Sequence, residues 1–544
     1  FTVEGETEEA DVSGEVDAAV SHRVPIIGLY PGMENTVVLE LLDENGEVTD
    51  SREVKVATED LPESLEDVIY PVKTGGTSAY GLTMVYGQRT HLPFAYDCMG
   101  DIRWYMNKET ANYGLYLLSN NRMIWQDTGA YVPNMEKPQS TNLYEMDYLG
   151  RAYTMYYVSG GSHHEVIEKE PGGNLLVLTS SIQSHYEDKI QEIDRQTGEV
   201  VNELVLDDIL DCEYVNRADW AHINTVSYQP ESDTILISAR DIESVIKLNW
   251  TTKKIQWILC DPRFWEGTGY ESYVLQQEGD FMYHFQQHTA YQLSADLDGN
   301  PDTIELSMFD NHYVSGRKSK LDYYDNDDAS YLLVYSIDES AKTVKQIKKI
   351  PTIFSKITSS AIYDEESGHI FGMCGWVPRA EDERKGMTYE FDYETGEILN
   401  QFSISTTFYR ASEMKIDYND LAAPMELEKN YIRGELWQPV AVELTEPVTK
   451  PEAVLSETEV TFHLTGQVLY AGTLDHQISQ IVFQGKEHTY IYDTTDIVLQ
   501  IRDYLAHYEY IPVPLQNLEP DEYEIFMMYQ DRWCDTQHRI KISS

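Results

Sequence analysis

Short stretches of alternating apolar and polar residues, broken by clusters of turn formers, run through most of this chain. Near the start, VPIIGLYPGMENTVVLELLDENGEV places Pro31-Gly32 at a turn and an apolar strand from Thr36 to Leu42. Asp43-Glu44-Asn45-Gly46 then supplies a hairpin turn, with Glu47 opening the return strand. Residues 1–75 therefore predict an N-terminal β-sandwich-like domain, its end marked by the linker-like ATEDLPESLEDV.

From residue 76 to 430 one unit recurs. Gly172-Gly173-Asn174 turns into a buried strand, Leu175-Leu176-Val177-Leu178, and an outer hairpin follows around Asp194–Val201. The same shape returns as DTILISAR (Asp233–Arg240) with Val245–Leu259, as Tyr331–Ile347, and as GHIFGMCG with Phe391–Phe402. Repeated hairpins without helical periodicity between them predict an all-β propeller, and five or six blades fit the length. A solenoid or stacked sandwiches is the alternative. Residues 431–544 change character, with spacer prolines and renewed alternation that predict a C-terminal β domain; TTDIVLQIRDYLAHYEY within it has a helical pattern.

Composition narrows the function classes. Across 544 residues, hydrophobics reach 42% and aromatics 12%, with 40 tyrosines, so a packed, strand-rich core is affordable. The formal net charge of −53 repels nucleic acid and anionic membrane surfaces alike. An anionic substrate would need Arg, Lys or His gathered in a pocket. The five cysteines, Cys98, Cys212, Cys260, Cys374 and Cys534, are scattered and show no Cys/His ligand spacing, so neither a metal site, a cofactor nor a disulfide scaffold is expected. No apolar run is long enough for a membrane-spanning helix. A start at Phe1 suits a chain trimmed of a secretion signal or lipoprotein anchor.

Histidine suits proton handling near neutral pH, and several of the 15 sit at strand ends or turns. His163 and His164 precede a strand, His222 lies in NRADWAHINTVSY with Asn224 on the same side if extended, His288 lies in FQQHTAYQL, and His312 in MFDNHYVSGRK. Each also fits a hydrogen-bonded packing role, as Trp220 fits core and Asp310-Asn311 a turn.

DWAHINTVSYQPESDTILISARDIESVIKLNWTTKKIQWIL resembles the stretch of bacterial arylsulfate sulfotransferases that holds an active-site histidine. QHTAYQL with the later FDN is similar to the segment holding a second. GSHHEVIEKEPGGNLL, YSIDESAKTVKQI and VPIIGLYPGMENTV extend the likeness over most of residues 20–415. The resemblance implies a six-bladed propeller with an N-terminal β domain, located outside the cytoplasm (secreted, periplasmic or anchored at the cell surface). It implies transfer of a sulfuryl group from a phenolic sulfate donor to a phenol acceptor without a nucleotide donor, through a sulfohistidine. Carried over by motif, His222 and His288 become the catalytic pair, with Asn224 and Arg240 as supports. Tyr331, Phe408 and Arg410 fall at further substrate-binding positions, and Arg317 is another source of charge. A homodimer is left open.

Two departures stand out. The family's nucleophile lies in a Thr-His-Tyr-Arg-like run, where this chain reads Thr407-Phe408-Tyr409-Arg410. Its sulfate-binding arginine lies in a Ser-Arg run, where this chain has Ser330-Tyr331. The family's short-loop disulfide also has no counterpart here. A phenyl ring has no lone pair for sulfur, and a tyrosine lacks the fixed cation of a guanidinium. Three readings follow: a shifted correspondence; a paralogue that transfers sulfate directly or through His222 or His288; or a non-catalytic extracellular binding protein for an aromatic sulfate or other aromatic anion. An introduced substitution would also explain Phe408. A surface adhesin is a more distant option, supported only by the acidic exterior and appended domains.

Overall fold

A computed structural model describes residues 1–87, 92–108, 110, 113–127, 139–181, 185–211, 215, 217–313, 328–378, 385–425, 431–435, 438–474, 478–495 and 508–543. It is almost entirely β: one short α-helix, Tyr418–Ala422, and brief 3-10 turns are the helical elements among the described residues. Among the described residues no helix is long and apolar enough to cross a membrane.

The chain forms two compact units, residues 1–122, 163–193 and 201–424, and residues 123–162, 194–200 and 425–544. In the first unit, Glu34–Leu42 and Val48–Ala57 pair as the hairpin their alternation predicts. Asp43 closes that turn by donating its N–H to Glu47 O at 2.9 Å, and Gly46 takes φ 80°, which a side chain would disfavour.

Four consecutive antiparallel strands make each of the next sheets. One holds Val166–Glu168, Leu175–Thr179, Lys189–Ile193 and Val200–Val205; the next Ile223–Gln229, Thr234–Ala239, Ser244–Asn249 and Ile255–Leu259. A third runs His288–Gln292, Ile304–Asp310, Ala329–Asp338 and Thr343–Ile353, with Gln276–Glu278 added in parallel at its edge. A fourth runs Ser360–Asp364, His369–Cys374, Gly386–Asp392 and Ile398–Ile404, and Ile69–Lys73 from far earlier in the chain joins it. The last combines Thr83–Tyr86, Phe94–Tyr96 and Ile102–Tyr105 with Arg410–Glu413, so distant parts of the chain share one sheet.

These sheets bury their faces against one another in chain order. Leu178 and Ile190 pack with Val226 and Trp250, Leu236 and Trp257 with Leu306 and Tyr335, and Phe309 and Leu332 with Ile370 and Tyr389. Phe371 and Phe402 meet Val85, Phe94 and Phe408 in the next layer. Burial on both faces explains the near-continuous apolar runs of strands such as Leu175–Leu178. Among the described residues Cys98, Cys260, Cys374 and Cys534 are buried free thiols, and Cys212 lies outside them.

In the second unit, Met123–Gln126, Ser140–Met146 and Ala152–Ser162 pair in order, and Ile432–Arg433 runs parallel to the last. A six-stranded and a three-stranded sheet between Ala441 and Lys541 enclose a core of Ile481, Phe483, Tyr492, Ile511, Tyr523 and Met527. The helical pattern expected around 494–510 falls mostly on 496–507, outside the described residues, and Glu509–Pro514 is a strand.

Candidate functional site

The first residues of several edge strands converge in the first unit, and the chain aims side chains there by adopting left-handed backbone. His164, Glu187, His222 and Thr289 have φ of 48°, 56°, 51° and 51°. Non-glycine residues pay about 1–2 kcal/mol for that conformation, so its repetition at chemistry-bearing residues points to a functional constraint.

His222 is the centre of the cluster. It is buried, and its Nδ1 lies 2.5 Å from Glu187 Oε2 and 3.1 Å from Asp219 Oδ2. Burial and the Arg240 charge push its pKa down, but Glu187 and Asp219 outweigh them and the balance is upward. For Glu187, burial pushes up and the His222 and His164 rings pull down, leaving the carboxyl well below its ordinary range. Nδ1–H is thus committed to carboxylates and Nε2 is the ring's remaining proton site.

His164 lies beside it, ring centroids 4.7 Å apart and nearly perpendicular. Its tautomer follows from its neighbours. His163 Nε2 lies 2.8 Å from Thr179 O, and a carbonyl only accepts, so that nitrogen carries a proton. Neutral His163 then accepts at Nδ1 from His164 Nδ1–H, 2.9 Å away, which leaves a lone pair on His164 Nε2. Burial first, reinforced by the His222 and His163 rings, holds the His164 pKa well below the ordinary value. Tyr113, tilted at 4.1 Å, and Tyr409, edge-on at 5.7 Å, pack around this ring. His164, Glu187 and His222 offer ligand atoms within 4.8 Å of one another, the spacing of a metal triad as well as of a proton relay.

The other expected residues fall in two groups. His288 is buried, and its Nδ1–H donates to Asn311 Oδ1 at 2.6 Å. Asn311 Nδ2 donates to Ser355 O and Thr358 O, which fixes the amide's orientation and hence the His288 tautomer. Burial, then the Arg240 charge, lowers the His288 pKa, with His222 and Arg410 adding to it; the two histidines singled out in the sequence therefore sense a shared set of charges. Asn224 anchors the neighbouring strand by donating from Nδ2 to Gln287 O at 2.8 Å. Arg240 binds Asp241 through Nε and Nη2 at 2.9 and 2.8 Å. Arg410 is buried and ties four strand ends together: Nη1 donates to Glu165 and to Tyr291 Oη at 3.0 Å, and Nη2 to Asn224 O at 2.9 Å.

Tyr331 and Phe408 sit elsewhere. Tyr331 packs edge-on against His312 at 5.2 Å, with Lys349 Nζ 3.7 Å from its ring centroid. The Phe408 ring lies in the apolar layer with Val85, Phe94 and Phe371, tight against Gly386, while its neighbour Tyr409 turns toward His164. Both residues precede the strand that begins at Arg410, and they are held by different neighbours: Phe408 N–H donates to Gly375 O at 2.9 Å and Tyr409 N–H to Tyr86 O at 3.0 Å. Arg317 is outside the described residues. Glu187, Asp219 and Tyr113 carry no sequence signal beyond their type, Tyr409 lay in the run that holds Phe408, and His164 was named with His163 among the histidines at strand ends and lacked only the lock that His163 supplies.

A nearly all-β chain with a buried histidine–carboxylate centre is the class these observations define. The family model for arylsulfotransferase matches residues 62–414, and that for the arylsulfotransferase Ig-like domain matches residues 1–59. The chain belongs to the arylsulfotransferase family. It is 23% identical over 518 residues to arylsulfate sulfotransferase AssT of Escherichia coli O6:H1, covering 71% of this chain and 83% of that protein. It is likewise 23% identical over 526 residues to arylsulfate sulfotransferase AssT of Lelliottia amnigena, covering 73% and 84%.

Proposed function

We propose that this protein moves a sulfuryl group from a phenolic sulfate to a phenol at the His164–His222–His288 cluster, on a six-bladed propeller. The observation that carries the reading is His222, a buried imidazole clamped by two carboxylates beside a second imidazole whose Nε2 lone pair is fixed. His164 Nε2 attacks sulfur while the S–O bond to the aryl group breaks. The departing phenolate takes the Nε2 proton of charged His222, whose cation Glu187 and Asp219 stabilise. The His164 Nδ1 proton passes to His163, so the sulfurylated ring stays neutral in its own charge. The acceptor phenol reverses the sequence, losing its proton to His222 and taking the sulfuryl group from His164. His288 and Arg240 supply positive potential for the sulfuryl oxygens, and Tyr113 and Tyr409 a surface for an aromatic ring. An extracytoplasmic location belongs to this reading.

Binding without turnover is the second reading, favoured by the pairing of Arg240 with Asp241 and Arg410 with Glu165, which spends guanidinium donors on the protein. Incubation with 4-nitrophenyl sulfate and phenol separates the two. Transfer predicts nitrophenol release together with phenyl sulfate, both abolished in His222→Ala/His288→Ala. Release no faster than in that double variant eliminates the enzyme reading, and calorimetric binding in its absence supports the receptor.

A further inference from the structure

The loop joining His288–Gln292 to Ile304–Asp310 reads Asp296-Leu297-Asp298-Gly299-Asn300-Pro301-Asp302-Thr303-Ile304-Glu305. Oxygen-bearing side chains stand at every second position from 296 to 302, and a glutamate follows at 305. Alternation of this kind lets one turn of chain direct several carboxylate and amide oxygens at a common point, as calcium loops do. The glycine here comes fourth and strands flank the loop, so it is not an EF-hand.

Carboxylate oxygens of Asp296, Asp298 and Glu305 lie within 4.8 Å of one another. The backbone wraps around them: Gly299 N–H and Asn300 N–H donate to Asp296 Oδ1 at 2.7 and 3.0 Å, and Asn300 N–H also reaches Asp298 Oδ1 at 2.8 Å. Thr303 Oγ1 and Ser336 Oγ donate to Asp298 at 3.2 and 2.6 Å. Glu305 is different. It is only 3% exposed, pairs with Ser336 as the second residue of its strand, and its Oε1 is buried with no hydrogen-bond partner among the described residues. A buried carboxylate oxygen that no donor satisfies costs about 1–3 kcal/mol or more. Here it also faces two further negative groups. Lys345, which pairs with Ser336 across the sheet, offers one positive charge against three carboxylates.

We propose that this loop binds a divalent hard cation, calcium, with Glu305 Oε1 as the buried ligand and Asp296 and Asp298 as the outer ones. Asn300 and Asp302 are within the same turn to add oxygens, and water completes the shell. All-oxygen donors on an exposed, irregular loop suit the larger, geometrically tolerant Ca²⁺ over Mg²⁺, which demands near-octahedral ligands. The absence of Cys/His ligand spacing does not bear on such a site, because hard cations take oxygens. The proposal is independent of the sulfuryl-transfer reading and lies on another loop of the sheet that carries His288.

The full chain, stripped with EDTA, is titrated with Ca²⁺ by calorimetry and thermal denaturation in about 0.15 M salt, which screens diffuse binding to the acidic surface. Wild type is expected to show one saturable event that raises the melting temperature. Glu305→Gln and Asp298→Asn should weaken that event at least tenfold, and Mg²⁺ at equal concentration should give a smaller rise. Glu305→Gln should also melt higher than wild type without Ca²⁺, since it removes the unmatched charge. The exposed Asp296→Asn serves if the buried substitutions perturb folding. Absence of a saturable event in wild type, or a Ca²⁺ response in both Asp296→Asn and Glu305→Gln equal to that of wild type, overturns the site.

Discussion

Glu187→Gln isolates what the carboxylate does for His222. The ring nitrogen and carboxylate oxygen are 2.5 Å apart and both residues are buried. At an effective dielectric near 20 the gross attraction is about 6–7 kcal/mol. Desolvation of the two groups consumes much of it, and loss of one partner from a buried pair costs about 3–5 kcal/mol. Asp219, 3.1 Å from the same nitrogen, remains in the variant, so about 2–3 kcal/mol is expected. The pH dependence has a definite sign. His222 has a raised folded pKa, so its share of stability is present below about 6.5 and disappears as pH climbs through the folded value. Glu187 is held low, so its share is present above about 4.3 and disappears as pH falls through its own folded value. In the variant, burial and Arg240 drive His222 below its ordinary value. The stability deficit against wild type should therefore grow from pH 8 down to pH 5. Denaturant unfolding across that range, with nitrogen-15 NMR of the His222 ring, measures both. The transfer rate should lose its protonated-donor limb at lower pH than in wild type. An unchanged His222 titration together with an unchanged pH–rate profile refutes the clamp.

Other outcomes follow from the same contacts. Arg410→Met should destabilise by about 3–5 kcal/mol, read by denaturant midpoint, because it strands the buried Glu165 carboxylate; Arg410→Met with Glu165→Gln should recover a large part. Phe408→His should lose about 1–3 kcal/mol by burying an imidazole in the apolar layer, and peptide mapping should find no sulfuryl group at position 408. His284 is buried and its pKa is lowered to about 4, by burial against a smaller upward pull from Asp310. The unfolded chain therefore takes up this proton first, and His284→Phe should reduce the stability lost between pH 6.5 and 4 by about 3 kcal/mol.

The strands were legible because the alternation and the turn residues agree: Asp43–Gly46 closes the hairpin it was expected to close, and Leu175–Leu178 is buried as an uninterrupted apolar run must be. His222 and His288 were singled out by the family-like runs around them; residue type and spacing alone left them level with His163, His164 and His312. Glu187 and Asp219 could not, since nothing distinguishes them among 93 acidic residues until the fold sets them against His222. Arg410 was legible as a charge but not as a tie to Glu165, which is 245 positions away in the chain. Phe408 and Tyr409 show the limit most clearly. A one-residue difference decides which of two adjacent side chains faces the histidines, and only the folded path of the segment before Arg410 sets it.

The most direct measurement is peptide mapping by mass spectrometry after the protein is mixed with 4-nitrophenyl sulfate, without acceptor, and quenched under alkaline conditions that preserve the acid-labile N–S bond of a sulfohistidine. One SO₃ group on the peptide containing His164, discharged when phenol is added and missing from His164→Gln, is the predicted result. A discharged label on a different residue, or transfer at full rate in His164→Gln, contradicts the assignment of the nucleophile.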